Sequence, residues 1–250
     1  MKSILQFVTV LSVVALLASC GGNSDGDPRG QVTITPPPEQ DGLGGTALKG
    51  TIIGGTVTVV DADGNNVPVA SGGVTGADGT YDITLSPDVS LNSLTLPLLI
   101  RVSGGNGATS VCDVNNAGTD DDCLTNDGVT YVAFRETFEL PADFVLESVL
   151  AVLPADTPGT STSFTANITP ATHLQAALAR EAVGAGASLT VEAVQEAEQE
   201  VLGLIESITG VEMENVSLAT IAVQDVAAVG ADTANGTAQS LAISAFAAAV

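Results

Sequence analysis

The chain of 250 residues carries 29 acidic and 6 basic residues, giving a formal net charge of −23 at pH 7. Such an acidic body repels nucleic acid and anionic lipid surfaces, which argues against nucleic acid as a partner. The hydrophobic fraction of 45% predicts a packed core, while the aromatic fraction of 3%, with no tryptophan, disfavours stacking platforms for sugars.

The N-terminus has the pattern of a secretory signal peptide. Lys2 supplies a positive charge, and residues 4–17 form a mainly apolar run that ends at the small residues Ala18 and Ser19. The run is shorter than the roughly 20 apolar residues of a membrane-spanning helix, and no basic flank follows it. We therefore predict a signal peptide over residues 1–19.

The cleavage region, Leu-Ala-Ser-Cys-Gly-Gly over residues 17–22, resembles the lipobox of bacterial lipoproteins. The resemblance implies cleavage before Cys20, acylation of this cysteine by palmitate-like chains and attachment to a membrane. In Gram-negative members an aspartate after the cysteine favours the inner membrane, so Gly21 implies the outer membrane of the cell envelope. Whether the protein faces the periplasm or the cell surface stays open, and a secreted protein with a chance cysteine is the alternative.

Residues 20–45 are predicted to be the lipidated cysteine and a flexible tether. Gly, Asp, Ser and Pro dominate this segment, and residues 36–38 are three consecutive prolines that stiffen its middle. Apolar periodicity is almost absent. The tether would hold the folded part away from the membrane.

From residue 46 the pattern changes to short β-branched runs separated by turn residues. Pro97 interrupts one run, which predicts an edge position or a break in that strand. Asp61, Asp63 and Asn65 have the spacing of a calcium loop but lack its glycine and terminal glutamate, so we predict a hairpin turn there. Strands are predicted over residues 51–53, 56–60, 67–70, 73–75, 80–85, 94–102, 129–134, 147–153 and 163–168.

Two segments of this region resemble a known domain family. Residues 49–59, with Gly54-Gly55 before alternating Thr and Val, and residues 75–81, which end in Gly-Thr-Tyr, are similar to carboxypeptidase regulatory-like domains. These transthyretin-like (prealbumin-like) β-sandwiches are common in bacterial surface lipoproteins. The resemblance is good over residues 46–100 and implies a Greek-key sandwich of about seven strands over residues 46–168, used as a structural or binding module.

Cys112 and Cys123 are the two cysteines that remain if Cys20 carries lipid. An even pair in an oxidising compartment predicts a disulfide between them.

The loop that they enclose follows part of the spacing of a calcium loop, but Ala117 and Leu124 occupy two ligand positions. We favour a solvated acidic loop without cofactor; the alternative is a weak calcium site, with a dissociation constant of ~10⁻⁴ to 10⁻³ M, formed by Asp113, Asn115, Asp120, Asp121 and Asp122.

After residue 168 the apolar period changes from two to about three and a half, which predicts an Ala-rich, acidic helical segment over residues 169–250. Thr169 is placed to cap a first helix, with Pro170 at its first position. Thr190 is expected to begin a second helix and Gly210 to end it.

A third amphipathic helix is expected over residues 237–250, and it has no C-terminal stop signal. Either the chain ends on a packed helix or it is a fragment of a longer protein, and we favour the fragment.

The sequence lacks familiar catalytic patterns. His173 is the only histidine, and we expect it to be a surface or cap residue in the first turn of a helix. Ser-x-x-Lys and His-Glu-x-x-His are absent, and Gly-x-Ser-x-Gly occurs only at residues 22–26, within the predicted tether. These absences disfavour hydrolases that are built on such motifs.

The sequence therefore predicts an α+β, non-enzymatic lipoprotein of the cell envelope that acts as a structural, adhesive or ligand-binding surface module. Its expected partners are the membrane, through the lipid, and an envelope protein or a glycan. One alternative is an accessory part of a secreted hydrolase whose catalytic region lies beyond residue 250. Another is a carbohydrate-binding module that uses Tyr81 or Tyr131.

Overall fold

The structure of the chain, a computed structural model, describes residues 40–115, 122–125, 127–153, 162–224 and 237–249. These residues contain twelve strands and three α-helices, so the α+β class is confirmed. The predicted signal peptide, Cys20 and most of the tether lie outside the described residues. Residues 38–250 form one compact unit, so the boundary at residues 168 and 169 separates β from α structure and does not separate two independent domains.

The strands are short and pair mostly in antiparallel fashion. The described residues form four sheets, with strand orders β12-β1-β5-β4, β11-β6-β3, β10-β7-β2 and β8-β9. Strand β12 runs parallel to β1. The bounds are β1 (Gly42–Thr46), β2 (Ile52–Ile53), β3 (Thr56–Val60), β4 (Val69–Gly72), β5 (Thr80–Leu85), β6 (Leu98–Ser103), β7 (Thr109–Val111), β8 (Cys123–Leu124), β9 (Tyr131–Val132), β10 (Thr137–Glu139), β11 (Val145–Leu150) and β12 (Ser163–Thr165).

The first two sheets share the main hydrophobic core. Alternate residues of a strand point to the same face, so every second residue of β5 and of β6 is buried in this core. The shared cluster includes Leu43, Val57, Val59, Tyr81, Ile83, Leu85, Leu98, Ile100, Val102, Leu146 and Leu150. These contacts join the two sheets through their inner faces.

Helices cover the opposite face of the sheet β11-β6-β3. Leu99 of β6 and Val149 of β11 pack in one cluster with residues of α1 (Pro170–Val183) and α2 (Val191–Thr209). A third helix, α3 (Ala238–Ala249), packs with α1 and α2 through a separate apolar cluster. The sheet β11-β6-β3 is therefore buried on both faces, and residues 101 and 147 lie on the face toward the helices.

The helix ends follow the predicted capping residues. Thr169 Oγ1 accepts a hydrogen bond from Thr172 N at 3.2 Å, and Thr172 Oγ1 accepts one from Thr169 N at 2.9 Å. This reciprocal arrangement satisfies backbone N–H groups at the start of α1. At the start of α2, Thr190 Oγ1 accepts a hydrogen bond from Ala193 N, and Gly210 ends this helix in a left-handed conformation with φ 70°. The first two helices are confirmed, with the predicted start of each and the predicted end of α2, and α3 confirms the third.

The predicted tether boundary at residue 45 is wrong, because residues 42–45 belong to β1 at the interior of a sheet. This strand reads Gly-Leu-Gly-Gly-Thr, and Thr46 is its only β-branched residue. The residue after β12 approaches so closely that glycine is required: a Cβ atom on Gly45 would lie 2.1 Å from the Ala166 carbonyl oxygen. Because neighbouring chain segments leave no room for larger side chains, β1 does not have the β-branched, alternating pattern by which strands are predicted.

Three further expectations about the strands agree with the structure only in part. A single seven-stranded sandwich is not confirmed, because the described residues form twelve short strands. The predicted hairpin of the runs 56–60 and 67–70 is confined to its turn, where Val67 N donates to the Val59 carbonyl oxygen at 2.8 Å; further along, β3 pairs with β6 and β4 pairs with β5. Pro97 does break its strand, since β6 begins at Leu98, but β6 lies at the centre of its sheet, so the edge position is wrong.

Candidate functional site

The most prominent charged group of the interior is the carboxylate of Glu147, whose side chain is 3% exposed. Glu147 lies on β11 directly opposite Arg101 on β6. Arg101 donates two hydrogen bonds to Glu147 Oε1, from Nε at 2.9 Å and from Nη2 at 2.7 Å. Antiparallel pairing therefore places the two charges together.

A second arginine reaches the same carboxylate from the helical layer. Arg180, near the end of α1, places Nη2 2.5 Å from Glu147 Oε2. Near the start of α1, Thr172 Oγ1 donates to the Glu147 carbonyl oxygen at 2.8 Å. Both ends of α1 are thus attached to the strand that carries Glu147.

The arginines keep Glu147 ionised. Burial, the largest single influence, raises the pKa of Glu147, but hydrogen bonds and charges from Arg180 and Arg101 together outweigh burial and hold the pKa below its ordinary value. The cluster at neutral pH therefore contains two guanidinium groups and one carboxylate, with a net charge of +1.

His173 lies beside this cluster, although the sequence predicted a surface or cap position. His173 is seven residues before Arg180, two turns away on the same side of α1, and its Nδ1 is 4.0 Å from Glu147 Oε2. Burial lowers the pKa of His173 most strongly; Glu147 opposes this effect and Arg180 adds to it. The imidazole is neutral at pH 7 and half-buried.

A cleft of about 280 Å³ opens above the two arginines. Its walls are the turn 61–64 after β3 and the loop 186–189 between α1 and α2, and its lining includes Arg101 and Arg180. Asp61 and Asp63 line the same space. Asp61 Oδ1 accepts hydrogen bonds from Asp63 N and Asn65 N, at 3.0 and 2.8 Å, which confirms the predicted turn.

The sequence pointed to the turn but missed the three residues of the ion cluster. Arg101 is the only charged residue of β6, and Glu147 is the only charged residue of β11. A single charge inside an otherwise apolar strand indicates a paired, buried group, because unpaired burial is costly. That signal was present in the predicted strands 94–102 and 147–153.

Cys112 and Cys123 form the predicted disulfide, with an S–S distance of 2.12 Å and a Cα–Cα distance of 5.7 Å. This bond attaches the short β8 strand to the chain after β7. Cys20, the predicted lipidation site, lies outside the described residues.

The calcium candidates are only partly described. Asp113 Oδ2 accepts a hydrogen bond from Gly50 N at 2.7 Å, and Asp122 Oδ2 accepts one from Phe134 N at 2.8 Å. Asn115 is exposed, whereas Asp120 and Asp121 lie outside the described residues. Within the described part of the chain, no group of three or more His, Cys, Asp or Glu side chains is placed to hold a metal. The calcium site therefore stays a prediction.

The two tyrosines proposed for carbohydrate binding have different environments. Tyr81 is 4% exposed, and its hydroxyl donates to the Ala166 carbonyl oxygen inside the core. Tyr131 on β9 is 48% exposed. Tyr81 is consequently a core residue and cannot stack on a sugar, which leaves Tyr131 as the accessible one.

Comparison with known proteins found no related protein. No family model, curated protein or solved structure matches the chain. None of the described helices is both long and apolar enough to cross a membrane.

Proposed function

We propose that the chain is a non-enzymatic lipoprotein of the bacterial cell envelope whose compact unit acts as a ligand-binding surface module. The observation that carries this proposal is the Cys112–Cys123 disulfide within the compact unit. Structural disulfides persist in oxidising compartments, outside the cytoplasm. The disulfide thus agrees with export by the signal peptide over residues 1–19.

In this proposal Cys20 carries the lipid, and Gly21 favours the outer membrane. Residues 21–39 then form the tether, because Gln40 and Asp41 already form hydrogen bonds with the folded unit. Several acyl chains, each contributing about 0.8 kcal/mol per buried methylene, provide a durable anchor. An envelope protein or a glycan remains the proposed class of partner.

A transthyretin-like sandwich is the proposed fold of the β part. The sheets β12-β1-β5-β4 and β11-β6-β3 would be its two layers, and their shared core supports this assignment. A non-catalytic role is supported by the pairing of Arg101, Glu147 and Arg180 with one another, which favours binding and stability over proton transfer.

Cys20→Ser tests the lipid anchor in cells that express the whole chain. We expect the variant to lose incorporation of labelled palmitate and to move from the membrane to the soluble exported fraction. A matched control, Cys112→Ser with Cys123→Ser, removes two other cysteines and should stay with the membrane. If Cys20→Ser remains in the membrane fraction, lipid on Cys20 is not the anchor.

A further inference from the structure

The cleft over the ion cluster is lined by two arginines and two aspartates that form no ion pairs with each other. Arg101 and Arg180 have side chains that are 42% and 39% exposed, and both line the cleft together with Asp61 and Asp63. All four residues are described, yet no ion pair within 4.0 Å joins either aspartate to either arginine. The cleft keeps its positive and negative groups apart.

The concentration of basic side chains here is unusual for this chain. Residues 38–250 contain Lys49, Arg101, Arg135 and Arg180 as their only basic residues, so half of them line one cleft in a strongly acidic protein. The Glu147 carboxylate holds both guanidinium groups in place. It contacts Nε and Nη2 of Arg101 and Nη2 of Arg180. A guanidinium has five N–H donors, so donors remain for a ligand.

The two carboxylates of the acidic wall differ in how many hydrogen bonds they already accept. Asp61 already accepts hydrogen bonds from Asp63 N, from Asn65 N and from Asn65 Nδ2 within its own turn. Asp63 is exposed, and among the described residues its carboxylate accepts one hydrogen bond, from Ser188 Oγ across the cleft at 3.5 Å. Asp63 is therefore the acceptor with capacity for a cationic group.

The size of the cleft limits the ligand. Its volume of about 280 Å³ is close to the lower end of small-molecule sites, which begin near 300 Å³. A simple anion would be attracted only by the arginines, and a simple amine would be attracted only by the aspartates. A small molecule that carries both a negative and a positive group could bind the arginines and the aspartates at the same time.

We propose that this cleft binds a small zwitterion, an amino acid or a short peptide, with its carboxylate on Arg101 and Arg180 and its ammonium at Asp63. Paired guanidinium groups match the planar carboxylate, and the fixed positions of the arginines reduce the entropy lost on binding. This assignment rests on the proposed role as a ligand-binding module and is independent of the lipid anchor.

Isothermal calorimetry on the purified full chain, as the cell processes it, tests the assignment with glycylglycine as probe. Acetate supplies the anion alone, ethylamine the cation alone and inorganic phosphate a different anion. We expect glycylglycine to bind about tenfold or more tightly than any of these three, because it alone makes both charged contacts. No measurable binding, or equal affinity for acetate or phosphate, would overturn the proposal.

Asp63→Asn is the decisive variant, since the side chain is exposed and lies outside the ion cluster. We expect about tenfold weaker glycylglycine binding, whereas the matched change Asp88→Asn, in an exposed turn outside the cleft, should leave affinity unchanged. Arg180→Lys keeps the charge but loses the planar fork, and it should weaken binding as well. Wild-type affinity in Asp63→Asn would refute the site. Calorimetry does not depend on membrane fractionation, so failure of the lipid anchor and failure of this site are distinguishable.

Discussion

Glu147 and Arg101 face each other across neighbouring antiparallel strands, and the Glu147 carboxylate accepts two hydrogen bonds from the Arg101 guanidinium, at 2.7 and 2.9 Å. Arg180 reaches the other carboxylate oxygen from α1. The pair therefore does more than join two strands, because the same carboxylate fixes the helical layer to the sheet. Removing one member of such a cluster leaves the others without their partner.

Glu147→Gln should lower the free energy of unfolding by about 2 to 3 kcal/mol, less than for a fully buried pair because both arginines are partly exposed. Urea denaturation measures the change. Glu200→Gln makes the same substitution at an exposed position of α2 and should change stability by less than about 0.5 kcal/mol. Equal effects of the two substitutions would contradict the structural role of the cluster.

Acid should destabilise the protein in two steps. Burial lowers the pKa of His173 below its ordinary value of 6.5, so the unfolded state takes up the proton first and stability falls as the pH drops below 6.5. The pKa of Glu147 also lies below its ordinary value of 4.5, so a second loss begins as the pH falls below 4.5. Unfolding free energies measured across this range should show both.

His173→Gln removes only the first step. The variant should lose the decrease that begins below pH 6.5 and keep the decrease below pH 4.5. Lowered pKa values of the turn residues Asp61 and Asp127 add to the second step in both proteins. A histidine variant with an unchanged profile near pH 6 would show that another group is responsible.

Replacing glycine by alanine should change stability in opposite directions at Gly45 and at Gly203. Gly45→Ala directs a Cβ atom at the Ala166 carbonyl oxygen and should cost about 1 to 3 kcal/mol of stability. Gly203→Ala on α2 meets no atom within 4 Å and should stabilise the helix by about 0.5 to 1 kcal/mol. Thermal denaturation of both variants tests the placement of β1. A harmless Gly45→Ala would mean that β1 and residue 166 are further apart.

The disulfide joins cysteines 11 residues apart, so it should contribute about 3 kcal/mol by restricting the unfolded chain. Replacing both Cys112 and Cys123 by Ser should lower stability by this amount without loss of the fold. Mass spectrometry of the non-reduced protein checks the bond itself. Alkylation of two cysteines without reductant would refute it.

Calcium should bind this region no more tightly than ~10⁻⁴ M. Asp113 and Asp122 already accept hydrogen bonds from backbone N–H groups, which reduces the number of free oxygen ligands. Calorimetry on the wild-type chain and on a variant with Asp120, Asp121 and Asp122 changed to Asn measures the affinity. Tighter binding that the variant loses would establish a real calcium site here.

Local features of the sequence determined the helices and several strands. Thr169, Thr190 and Gly210 act on backbone groups within one turn of the chain, so their roles can be predicted without knowledge of neighbours. The β-branched and alternating residues of β3 and β5 likewise express a local preference for one buried face. The sequence also predicted the disulfide, from the number of cysteines.

Long-range packing decided the remaining features. β1 is glycine-rich because strands β5 and β12 approach it closely. The residues 42–46 alone do not show which strands lie beside them. The candidate site joins Arg101, Glu147 and Arg180 from β6, β11 and α1, and the first two are 46 residues apart. The sequence shows that each is charged, whereas strand register and helix docking decide which charges meet. Coulomb attraction and hydrogen bonding act over a few ångströms in space, and only the tertiary structure sets those distances.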